Sequence, residues 1–276
     1  MSSPFAIMFA VVLALVLVVV VLLRVYLVHV RPRDVEWIAG TPTPGHQEAE
    51  VYTRYLQRHR LHRLVGGLFG AAFATVVGLT WYGSITIGGG HPLADLLLCT
   101  TAGIIIGALS AETFRLSEPL TDTVSASLTA RPAAAHPRLT RVARVLTIAG
   151  VVVGGLVAVS GRGLTSLWVA ILGVPVALVA EATQRAIAGR RRPVLSDRAR
   201  VVDTRIRAFA SRSVAWLQLA FAVLVAAWVV SGIGEVDGAL ASWTQTVLVL
   251  GGLVGAVVLL HRGAPRPRRS WVAPAT

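Results

Sequence analysis

All 26 basic residues of this chain are arginines, and 25 of them fall in alternate gaps between seven apolar stretches. The stretches cover residues 5–23, 64–82, 93–111, 142–160, 164–180, 213–233 and 243–260. At about 1.5 Å of rise per residue most can cross a hydrocarbon core of roughly 30 Å as helices, and the shortest borrows from its flanks. The arginine count per gap runs seven, none, five with Arg144 from the inner end of the fourth stretch included, one, nine, none, and four in the tail. Basic residues collect on the cytoplasmic side of bacterial membrane proteins, so the pattern predicts an N-terminus outside and a C-terminus inside.

Composition agrees with this class. A chain of 276 residues that is 55% hydrophobic and 14% charged is too apolar for a soluble domain and too long for one span. The expectation is an all-α, polytopic protein forming a single transmembrane domain over 1–276: one N-terminal span followed by three hairpins. Trp81, Trp168, Trp228 and Trp243 fall at the predicted outer ends of their spans, where an amphipathic ring prefers to sit. The first stretch has no basic residue before it and Arg24, Arg31 and Arg33 after it, the reverse of a secretory signal, and reads as a retained anchor. Absence of lysine, with heavy use of Ala, Gly and Val, points to a bacterial coding bias and hence to the bacterial plasma membrane. A net charge of +13 would suggest nucleic acid in a soluble protein. Beside hydrophobic spans the expected counter-charge is anionic lipid of the cytoplasmic leaflet, not nucleic acid.

The predicted inner segments differ in character. Segment 24–63 carries a helical stripe of Tyr52, Tyr55, Leu56 and His59, with acids early and arginines late, as a helix dipole favours. Segment 185–212 is arginine-rich and carries a second stripe, Val202, Ile206 and Phe209. Basic amphipathic helices of this kind lie on the membrane surface or dock a protein partner, and the surface is the expected place. Segment 112–141 is punctuated by proline and reads as an irregular linker, and the tail 263–276 reads as disordered.

The hairpins resemble one another in part. Each enters behind an arginine cluster, and the exit Leu109 to Arg115 parallels Val179 to Arg185. Glycines at spacing four recur as Gly66 with Gly70, Gly103 with Gly107, Gly150 with Gly154, and Gly251 with Gly255, and predict close helix approach. Pro175 falls within the fifth span and is the candidate hinge.

Chemistry-bearing residues are few. Glu112 and Glu181 sit at inner span ends, where pairing with Arg115 and Arg185 at helical spacing is the ordinary role, and an ion path or partner contact the functional one. His91 and Asp95 form an outer-face candidate one helical turn apart, although two ligands do not make a metal site. His59 and His62 share a helix face among arginines, with no carboxylate nearby in sequence, so metal binding is not expected. Ser160 and Ser231 each precede a glycine, but no span offers a histidine to activate them. A phosphate loop of the GxxxxGK[ST] type cannot exist without lysine. No acid, histidine or arginine falls at a predicted midplane, where proton-coupled pumps place their relay. No catalytic, cofactor or metal site is predicted. The leading expectation is a non-enzymatic, permease-like or accessory subunit of a membrane assembly, with an arginine-rich cytoplasmic face. The alternative is an autonomous transporter or channel for a small neutral or anionic solute.

Overall fold

The computed structural model describes residues 29–80, 92–113, 136–161, 164–189, 197–233 and 238–267, all helix and short connections. The predicted first span, 5–23, lies outside the described residues. The described residues form seven helices: α1 Pro32–Ala39, α2 His46–Thr80, α3 Pro92–Thr113, α4 Pro137–Val159, α5 Thr165–Gly189, α6 Asp197–Ser231 and α7 Ala239–Arg262. Five of them, α3 to α7, are long and apolar enough to cross a membrane.

α1 is short and begins where Pro32 takes the first helical position, its missing N–H costing nothing there. The Asp34 carboxylate accepts the Arg31 backbone N–H at 2.9 Å, and Gly40, at φ 61°, ends the helix in the left-handed conformation that glycine adopts without penalty. α2 and α6 each run 35 residues. At about 52 Å apiece they are longer than the roughly 30 Å of a hydrocarbon core, and α2, which carries most of the predicted second stretch, is not among the five apolar helices.

α2 with α3, α4 with α5, α5 with α6, and α6 with α7 pair antiparallel, whereas α3 and α4 do not pair with each other. In α2 and α3 the predicted glycines meet face to face: a Cβ on Gly66 would stand 2.2 Å from the Gly103 carbonyl oxygen, and one on Gly107 2.2 Å from that of His62. Backbones this close leave no room for a side chain, and dispersion between them replaces the hydrophobic effect that lipid cannot supply. The other predicted pairs differ. Gly154 packs on Leu167 and Ser166, but Gly150 and Gly251 have nothing within 4 Å of a Cβ position. It is Gly252, one residue on, that meets Ala227 of α6, at 2.6 Å. A one-residue shift turns a helix face by about 100°, which spacing alone does not register.

α6 is the axis of the bundle. Leu217, Phe221, Leu224, Val225 and Val229 form the main core with Leu98, Ile105 and Leu109 of α3, Val169 and Ala170 of α5, and Ala256 and Leu260 of α7. The apolar window of α6 is 72% buried, against 11% for α7 and 22% for α4 and α5, so these outer helices present apolar faces outward. Pro175 lies within α5 on an exposed face, and the helix continues through it.

All described arginine clusters gather at one end. There α1 and the projecting starts of α2 and α6 form a helical layer with its own core: Val35 and Ile38 pack on Tyr52, Tyr55, Leu56, Val202 and Ile206. The two amphipathic stripes expected on a membrane surface are thus buried against each other. The tail also departs from expectation at its start, since Gly263 and Pro265 are buried beside α6 and α2. Residues 268–276 lie outside the described residues.

Candidate functional site

The densest polar constellation lies where the helical layer meets the bundle. Glu112, in the last turn of α3, is fully buried and faces α2, not the following residues of its own chain. The Tyr55 hydroxyl donates to its Oε1 at 2.5 Å, and His59 Nε2 lies 3.1 Å from the same oxygen. A carboxylate therefore does stand beside His59, 53 positions away in sequence. Arg115, the expected partner of Glu112, lies outside the described residues. Phe209 of α6 closes the group, its ring 6.0 Å from Tyr55 and 6.1 Å from His59, with Trp37 of α1 edge-on to it at 5.6 Å.

Burial holds the His59 imidazole below its ordinary pKa, against the pull of the Glu112 carboxylate, and Arg63 and Arg58 push it down further. The ring is neutral near pH 7. Its Nδ1 has no hydrogen-bond partner among the described residues. Tyr52, two turns before His59, is raised by burial, with Arg205 opposing. A carboxylate shared by a phenol and an imidazole can hold a proton, yet none of the three lines the groove beside it. The geometry ties helices together.

Glu181 does the same for the next hairpin. Arg144 of α4 donates to it through Nε at 3.0 Å and Nη2 at 2.9 Å, and the expected partner Arg185 adds a contact at 3.0 Å. Each exit glutamate therefore clasps its own entry helix, Glu112 reaching back to α2 and Glu181 to α4. Thr113 and Thr183, matched positions of the two exits, share a hydrogen bond at 3.0 Å. In that alignment the two glutamates are offset by one residue, which turns them toward different neighbours. The third hairpin lacks the glutamate and is joined by other means: Ser213 donates to the Gly263 carbonyl at 2.7 Å, and the Arg262 guanidinium stands 5.3 Å over the Trp216 ring.

Two arginines read as flanking charge are in fact structural. Arg60 is buried, pairs with Asp34 at 2.9 Å and donates to the carbonyls of His29 and Pro265. Arg63 donates to the carbonyls of Leu260, at 3.4 Å, and Gly263, at 2.8 Å, satisfying the orphan acceptors at the C-terminus of α7. Their spacing of three on one helix was a visible signal, but nothing in it named α7 as the target.

Compared with known proteins, the chain matches no family model, no curated protein and no solved structure.

His91 lies outside the described residues, and Asp95 is in the first turn of α3, with its side chain outside the described ones. Among the described residues no group of three His, Cys, Asp or Glu side chains could hold a metal. Among the polar residues within the spans, Gln218 of α6 accepts from Gln184 of α5 at 2.9 Å, and Gln184 accepts from Thr140 of α4 at 3.0 Å. Thr100 instead donates to the Leu96 carbonyl of its own helix.

Proposed function

We propose that the protein is a non-enzymatic, permease-like or accessory subunit of a larger assembly in the bacterial plasma membrane. In this reading it has seven spans, its N-terminus outside, and its arginine-rich end in the cytoplasm against anionic lipid and a cytoplasmic protein. The observation that carries the reading is the helical layer at that end. Its apolar stripes are used up on each other, so its outer face is left over: Val51, Arg54, Gln57 and Leu61 line one exposed side of α2 at helical spacing. An exposed stripe that alternates apolar side chains with Gln57 and the Glu50-paired Arg54 suits a protein partner. An autonomous transporter or channel would need a path through the bundle, and apolar side chains of α6 occupy that axis.

The test is purification from native membranes in mild detergent. A second protein is expected in fixed ratio, and Val51→Asp with Leu61→Asp, both at exposed positions, is expected to remove it while the protein still folds. Recovery of this chain alone would overturn the proposal.

A further inference from the structure

A lateral groove of about 400 Å³ opens between α2 and α7, floored by Thr100 and Ile104 of α3. Its two halves differ in chemistry. Along the span it is lined by Leu64, Gly67, Leu68 and Ala71 of α2 and Val257 of α7. At the arginine-rich end it is lined by Arg60, Arg63, His261 and Arg266, and no acidic residue is among the residues that line it. Asp34 answers the charge of Arg60. Arg63 gives its terminal nitrogens to neutral carbonyls, and the charge that acts on it most strongly is the Arg266 guanidinium, of the same sign. The Nε groups of Arg60 and Arg63 are buried donors with no acceptor among the described residues. A buried donor without an acceptor costs about 1–3 kcal/mol, and a cluster of like charges is relieved by an anion.

We propose that this groove binds one anionic phospholipid, its phosphate at Arg60, Arg63 and Arg266 and an acyl chain along the apolar wall of α2 and α7. A free anion would use the cationic mouth and leave the apolar half empty, whereas a lipid satisfies both. The volume is that of a small-ligand pocket, enough for a headgroup and part of one chain. The inference rests on the arginine-rich end lying at headgroup depth, a point that cysteine accessibility reports separately.

The test uses the full chain, purified in mild detergent and offered phosphatidylglycerol or phosphatidylcholine, with retained lipid counted by native mass spectrometry. One phosphatidylglycerol is expected to remain bound, and phosphatidylcholine to wash away. Arg266→Gln, at an exposed position, should weaken retention about fivefold, the worth of one cation at an anionic surface. Ala71→Trp, which fills the apolar half without touching the arginines, should abolish it. Equal retention of the two lipids, or indifference to both substitutions, overturns the proposal. So does displacement by millimolar inorganic phosphate alone, which would make the site one for a free anion. A cysteine at position 71 that cross-links quantitatively to one placed within residues 5–23 would also overturn it, by showing the groove filled by the chain's own first apolar stretch.

Discussion

The Tyr55 hydroxyl donates to the Glu112 carboxylate at 2.5 Å across 57 residues of sequence, both groups out of reach of solvent. This contact joins the helical layer to the α2–α3 hairpin, with His59 on the same oxygen. A hydrogen bond to a charged group is worth about 1.5–3 kcal/mol, so Tyr55→Phe should destabilise the fold by about 2 kcal/mol. Glu112→Ala strands both Tyr55 and His59, two buried polar groups at about 1–3 kcal/mol each, and should cost more. Thermal unfolding in detergent ranks the two, and an Ala variant no worse than the Phe variant would contradict the assignment.

The glycine seam predicts a contrast between positions that look alike in sequence. A Cβ on Gly66 or Gly103 would collide with backbone at 2.2 Å, and backbone cannot swing aside. Gly66→Ala or Gly103→Ala should therefore force α2 and α3 apart at a cost of about 1–3 kcal/mol or more. Gly251→Ala meets open space and removes a flexible residue from a helix, so it should be neutral or stabilising by about 0.5–1 kcal/mol. Thermal midpoints of the three variants should split in that order.

Acid should weaken the helical layer. His59 titrates lower in the fold than in the unfolded chain, mainly because it is buried, and His62 and His136 shift in the same direction for the same reason. Below an unfolded value of about 6.5 the unfolded chain takes up protons that the folded one refuses, so stability falls as pH falls. The thermal midpoint should be lower near pH 5 than near pH 7.5, and His59→Gln should flatten the difference. A midpoint that rises on acidification would reverse the sign and exclude this origin.

Orientation is tested by cysteine accessibility in a Cys99→Ser background, the native thiol being buried. Arg54→Cys, at the arginine-rich end, should react with a membrane-impermeant maleimide only after cells are permeabilised. Ser160→Cys, at the opposite end of α4, should react in intact cells. The reverse pattern would invert the proposed topology.

The membrane class and the succession of hairpins were legible because hydropathy and charge are local sums along the chain, and the arginines gather in alternate gaps between the apolar runs. Glu112 and Glu181 stood out for the same reason, as acids at the ends of apolar runs. Their partners did not. Which residue of α2 faces Glu112, whether Gly251 or Gly252 meets α6, and that Tyr55 and Ile206 bury each other and not a lipid surface all depend on the rotation and axial offset of one helix against another. Those two quantities are set by the simultaneous packing of many side chains on both helices, and a shift of one residue changes every contact. Sequence period specifies that a face exists, and only the assembled bundle decides what it meets.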